Sequence, residues 1–122
     1  MKKIVVVDDD DLFRDYLVTV LTEQGYEVLS AENGNDGLKL CEKESPDLVL
    51  TDIIMPEVEG VEVILKLREI RKDLPIIAMS GGNMGNSSSY LGMAGKLGAN
   101  AVLSKPFERV ALLNQIEVLL NQ

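Results

Sequence analysis

Short aliphatic runs alternate with helix-type stretches five times along the 122 residues, and that alternation leaves few folds open. The first run, Lys3–Val7, is too continuous for a strand with one wet face. Asp11–Gln24 follows as a helix with Leu12, Phe13, Tyr16, Leu17, Val20 and Leu21 on one stripe, and Gly25 stops it in the usual glycine position. Tyr26–Ser30 predicts a second strand, and Asn33–Lys43 a second helix with Leu38, Leu40 and Cys41 at apolar positions. Pro46 and Pro75 introduce the strands Leu48–Thr51 and Ile76–Met79, where a missing N–H breaks no interior ladder bond. Val61–Arg71 is the helix between them. Tyr90–Leu97 predicts a fourth helix ended by Gly98, Ala101–Ser104 the last strand, and Glu108–Asn121 the last helix. That last helix carries Leu112, Leu113, Ile116, Leu119 and Leu120 on one face. Buried strands each followed by a helix give a parallel sheet covered on both sides. Right-handed crossovers restrict it to a doubly wound, five-stranded α/β sheet with five helices. No linker or repeat interrupts the pattern, so residues 1–122 read as one domain.

Composition narrows the chemistry. There is no histidine, which excludes Ser-His-Asp triads, Cys-His pairs and histidine-ligated metals. A single cysteine makes no internal disulfide and gives no sign of an oxidising compartment. The net charge of −8 makes a nucleic-acid backbone a poor partner. Apolar runs reach only four or five residues, far short of the ~20 that span a bilayer. Met1–Val7 runs straight into aspartates with no cleavage site, and so reads as a strand rather than a signal peptide. A cytoplasmic protein with no membrane or direct nucleic-acid partner is expected. Its chemistry must use carboxylates, hydroxyls, amines or an oxygen-bound metal.

In a doubly wound sheet, ligands bind beyond the carboxyl ends of the strands. The first strand leads there into Asp8, Asp9 and Asp10, the third into Asp52, the fourth into Ser80, and the fifth into Ser104 and Lys105. The second, near an edge, leads into Ser30, Ala31 and Glu32. An aspartate after a strand is more often a turn or cap residue than a ligand, and Asp10 and Asp11 fit that role at the start of the first helix. The remaining carboxylates, from the first and third strands, converge. Two like charges about 4 Å apart repel by about 4 kcal/mol at an effective dielectric of about 20. A hard divalent cation relieves that repulsion; oxygen ligands in a small wet pocket suit Mg²⁺, with Mn²⁺ tolerated. Lys105 adds an ammonium and Ser80 a hydroxyl. Metal, ammonium and hydroxyl together suit a phosphoryl group, and a carboxylate can accept one covalently.

Taken in order, the motifs are Val-Val-Val-Asp8-Asp9, Leu-Val-Leu-Thr-Asp52-Ile-Ile-Met55-Pro56, Gly60 opening the third helix, Ile-Ile-Ala-Met-Ser80-Gly81, Leu97-Gly98-Ala99 and Lys105-Pro106-Phe107. With this set the chain resembles the receiver domain of two-component response regulators over essentially its whole length. The resemblance implies a flavodoxin-like strand order 2-1-3-4-5 and a signalling switch rather than an enzyme. Asp52 would be the phosphoacceptor. Asp8, Asp9, Asp52 and the backbone carbonyl of Ile54 would hold Mg²⁺, with Asp8 acting directly or through water. Ser80 and Lys105 would bind the phosphoryl group, and the Lys105–Pro106 bond would be cis. A histidine kinase or histidine phosphotransfer protein would donate the phosphoryl group. Movement of Ser80 would then re-present the face of the fourth helix, last strand and last helix to a protein target or a second copy. Two departures stand out. The position of the family's switch aromatic, three residues before the lysine, holds Val102. The segment Ser80–Ser89 is swollen with Gly and Ser, which suggests a loop that orders around phosphate. Two alternatives compete. One is a receiver-like module that signals without phosphorylation. The other is a haloacid-dehalogenase-type phosphatase using Asp8 and Asp10, which lacks the usual threonine and has no room for a cap domain.

Overall fold

The structure is a computed structural model and describes residues 1–53, 60–81 and 98–121. The elements are β1 (Lys3–Val7), α1 (Asp11–Glu23), β2 (Glu27–Ala31), α2 (Gly34–Glu44), β3 (Leu48–Asp52), α3 (Gly60–Ile70), β4 (Ile76–Gly81), β5 (Ala101–Lys105) and α4 (Arg109–Leu120). The helix expected over Tyr90–Leu97 lies outside the described residues, as do most of the Gly/Ser-rich segment and Ile54. The strands form one parallel five-stranded sheet in the order β2-β1-β3-β4-β5. This is the flavodoxin-like arrangement.

Local chemistry starts and stops the helices. The Asp10 side chain caps α1 by accepting from the Phe13 amide at 3.1 Å, and Asn33 caps α2 by accepting from Asp36 N–H at 2.8 Å; each satisfies an amide that has no partner inside its helix. After α1 the chain turns at Gly25, whose φ of 95° suits a residue without Cβ.

Both faces of the three central strands, β1, β3 and β4, are buried, as their continuous aliphatic runs require. Val5, Val7, Val49, Ile76 and Ala78 pack against Leu38 and Cys41 of α2 and Val63, Ile64 and Leu67 of α3. Ile4, Val6, Leu48, Leu50, Ile77 and Met79 pack against Leu17 and Leu21 of α1 and Leu112, Ile116 and Leu119 of α4. The α1 stripe is narrower than the sequence pattern suggested: Leu12 is 83% exposed and Tyr16 42%. At 100° per residue, Leu12 lies about 140° around the helix from Leu17, outside the arc that reaches the sheet.

The amino ends of the last two strands are held by Arg68. Its guanidinium donates to the carbonyls of Gly98 (2.7 and 2.9 Å) and Leu74 (2.6 Å) and to Asn100 Oδ1 (2.6 Å). Asn100 Oδ1 also accepts from Ile76 N–H at 2.9 Å. Fixing where β4 and β5 begin fixes their register, which pairs Ser80 with Ser104 and Gly81 with Lys105 at the other end.

Candidate functional site

Strand alternation decides which side chains meet. Val6, Leu50, Met79 and Leu103 face the α1–α4 layer. Two residues further along each strand come Asp8, Asp52, Gly81 and Lys105, and side chains two apart in a strand share a face. Val7 pairs with Thr51, so Asp8 and Asp52 are the next neighbours across β1 and β3. The Asp8 amide also continues the ladder by donating to the Ala31 carbonyl at 3.1 Å. The ladder extends one residue beyond the expected end of β3, taking in Asp52, and through Ser80 and Lys105 in β4 and β5.

The outcome is a tight charge cluster. Asp8 and Asp52 are buried and Asp9 is exposed, and one carboxylate oxygen from each lies within 4.8 Å of the others. Lys105 sits further along β5 than Asp52 does along β3, and its side chain spans the gap. Its Nζ donates to Asp8 Oδ2 at 2.7 Å and to Asp52 Oδ2 at 3.0 Å. Asp8 Oδ1 accepts from the Asp10 amide at 2.9 Å, so both Asp8 oxygens are engaged. Burial pulls the Lys105 pKa down, but the hydrogen bond to Asp8 and the charges of Asp52 and Asp8 outweigh it and hold the ammonium above the ordinary lysine value. The Lys105–Pro106 bond is cis.

Of the residues singled out from sequence, the structure brings Asp8, Asp9, Asp52 and Lys105 together. Ser80 is the penultimate residue of the neighbouring strand β4, one residue beyond the register partner of Asp52. It is fully buried, and its hydroxyl has no hydrogen-bond partner among the described residues. A buried hydroxyl without a partner costs about 1–3 kcal/mol, so this one is suited to an incoming acceptor. Val102 pairs with Ala78 and is 40% exposed, so no ring stands at that position. Two contributors were not read from sequence as site residues. The Phe13 ring lies 4.5 Å from Lys105 Nζ, measured to its centroid. Arg14 donates to the Asp8 carbonyl at 2.8 Å and to Asp11 Oδ1 at 2.6 Å, tying the acidic turn to α1. Both lie in the first turn of a helix whose cap, Asp10, belongs to the acidic run, which is the signal that would have found them.

At formal charge, three carboxylates and one ammonium leave the cluster at −2, which one divalent cation balances. The donors are all hard oxygens, the set that Mg²⁺ or Mn²⁺ takes. The residues present therefore fit a small divalent ion.

Fold and site together define a flavodoxin-like domain with an acidic, lysine-bridged pocket at the carboxyl edge of its sheet. The chain belongs to the response regulator receiver domain family, whose model matches residues 4–117. It is 38% identical over 94% of its length to the CAI-1 autoinducer sensor kinase/phosphatase CqsS of Vibrio cholerae, and 36% identical over 87% of its length to the alkaline phosphatase synthesis transcriptional regulatory protein PhoP of Bacillus subtilis. It spans 17% and 43% of those two proteins. The crystal structure of a CheY-like receiver domain protein from Methanospirillum hungatei superposes with a TM-score of 0.89 at 32% identity, covering 99% of this chain and 94% of that one. Among the described residues no helix is long and apolar enough to cross a membrane.

Proposed function

We propose that residues 1–122 act as a single phosphorylation-dependent signalling switch in which Asp52 accepts a phosphoryl group from a phosphohistidine on a partner protein. A carboxylate oxygen of Asp52 attacks phosphorus, an O–P bond forms and the N–P bond breaks. The electron pair returns to the imidazole of the donor, which takes its proton from solvent. These 122 residues hold no histidine, so the phosphohistidine lies outside them, on a histidine kinase or a histidine phosphotransfer protein. Asp8, Asp9, Asp52 and the Ile54 carbonyl would hold Mg²⁺. When bound, the ion neutralises charge on the phosphoryl oxygens during transfer.

The observation that carries this reading is the Lys105 ammonium bridging Asp8 and Asp52 at 2.7 and 3.0 Å inside the acidic cluster. Lys105 sets a positive charge against both buried carboxylates and stands ready to bond a phosphoryl oxygen. Asp8 accepts at both of its oxygens, from the Asp10 amide and from Lys105. The buried Ser80 hydroxyl, which has no hydrogen-bond partner among the described residues, supplies the second phosphoryl contact. Phosphorylation adds negative charge and acceptor oxygens at Asp52. Ser80 and Lys105 respond, and through β4 and β5 they shift the population between two packings of the surface around β5 and α4. A downstream protein or a second copy of the chain reads that surface in the cytoplasm.

Incubation with acetyl phosphate and Mg²⁺ tests the reading by intact mass. The wild type gains one phosphoryl group and Asp52→Ala gains none. An equal gain in both, or none in either, contradicts it.

A further inference from the structure

The Lys105 ammonium has a third neighbour besides its two carboxylates: the face of Phe13, 4.5 Å from Nζ to the ring centroid. That ring is itself held. Phe107 meets it edge-on at 5.5 Å and 82°, and Tyr16 lies beyond at 6.0 Å. Lys105 is buried enough that its side chain is only 15% exposed, so the ammonium has few water contacts to fall back on. A cation over an aromatic face is attracted to the ring's negative quadrupole, and more strongly when water is displaced.

The two kinds of neighbour differ in one respect. A divalent cation entering the pocket would draw on the same Asp8 and Asp52 carboxylates that Lys105 now bridges. The ring face binds no hard metal ion in competition with carboxylates, so it remains available to the lysine. We propose that Phe13 is a positioning residue that keeps the Lys105 ammonium at the mouth of the pocket when metal takes its carboxylate partners, so that a phosphoryl group on Asp52 finds it in place. This rests on Asp52 being the acceptor. Phe13 touches neither the reacting atoms nor the metal ligands by this account, and acts only through the lysine. Leucine or methionine would fill much of the ring's space beside Phe107 and Tyr16 but would offer no negative face. Tyrosine keeps the face, and Phe13 is only half-buried.

Two measurements test it. In the NMR spectrum of the metal-free wild type, ring current places the Lys105 ε-methylene protons upfield of ordinary lysines, and Phe13→Leu returns them to the ordinary position. Beryllofluoride, a phosphoryl mimic, is then titrated at saturating Mg²⁺. Phe13→Leu weakens its binding about two- to thirtyfold, the range expected for a cation–π contact, while Phe13→Tyr stays near wild type. If Phe13→Leu loses the native spectrum, Phe13→Met replaces it in both arms. Unshifted ε-methylene protons in the wild type, wild-type affinity in the ringless variant, or a tyrosine variant as weak as the ringless one each overturn the inference. A wild type that binds no beryllofluoride overturns the acceptor reading along with it, whereas an upfield lysine that binds normally without Phe13 overturns the inference alone.

Discussion

Among the described residues Lys105 is the cation that bridges Asp8 and Asp52; replacing it by methionine removes that charge, and the structure sets the scale of the effect. The two carboxylates are buried, and their candidate ligand oxygens lie within 4.8 Å of each other. Coulomb's law at that separation gives about 3 kcal/mol of repulsion at an effective dielectric of about 20. Stripping one partner from a buried ion pair typically costs about 3–5 kcal/mol, which describes the same loss and is not additional to it. In EDTA at neutral pH, Lys105→Met should therefore unfold in urea with a stability about 3 kcal/mol below wild type. Mg²⁺ should restore more stability to the variant than it adds to the wild type, because in the wild type the ion competes with the lysine for the same oxygens. A tenfold gain in Mg²⁺ affinity would appear as about 1.4 kcal/mol of extra stabilisation at saturating metal. Urea melts of both proteins, with EDTA and with millimolar MgCl₂, measure all four quantities. Equal stability in EDTA would mean that the lysine does not compensate the carboxylates. Equal or greater Mg²⁺ stabilisation of the wild type would mean that metal and lysine do not share a site.

Three further predictions follow from the core. Burial pushes the Cys41 thiol up to about 12; the unfolded thiol ionises near its ordinary value while the folded one stays protonated. Stability should thus fall as pH rises above about 9, by up to about 1.4 kcal/mol per pH unit of the gap, and urea melts of Cys41→Val over that range should show a shallower fall. A Cβ at Gly37 would lie 2.6 Å from Val7 Cγ2, and Val7 is fully buried with a short branched side chain that cannot swing away. Gly37→Ala should destabilise by about 1–3 kcal/mol despite alanine's better helix propensity, and a double-mutant cycle with Val7→Ala should show the two changes costing less together than their sum. Arg68→Met leaves the Gly98 and Leu74 carbonyls without their donor; a loss of about 2–3 kcal/mol in chemical denaturation is expected, with faster amide exchange at the start of β4 and β5.

The fold was legible because strand–helix alternation is a local signal repeated along the chain. The site was legible because Asp8, Asp52, Ser80 and Lys105 terminate aliphatic runs, and parallel strands bring such termini to one edge. What local pattern missed depends on neighbours. Asp52, Ser80 and Lys105 have poor strand propensity, so the runs looked as if they ended before them, yet the adjacent strands carry the ladder through all three. Leu12 belongs to an apolar cluster in sequence but falls outside the buried arc of α1, because its angle and the reach of the sheet decide burial. Phe13 was readable as a core residue and not as a neighbour of Lys105, since the two are brought together only by the packing of α1 against the end of β5. The need for glycine at position 37 likewise comes from the close approach of α2 to Val7 on β1.

The central claim is that a carboxylate on β3 becomes transiently esterified to phosphorus under the control of a bound cation and the β5 lysine. Its most direct measurement is ³¹P NMR of the protein with acetyl phosphate and Mg²⁺, compared with EDTA and with Asp52→Asn. The account predicts an acyl-phosphate resonance that requires the metal, is absent from the variant, and disappears on treatment with hydroxylamine. A phosphoprotein resonance that persists in Asp52→Asn, or that forms equally well in EDTA, would contradict it.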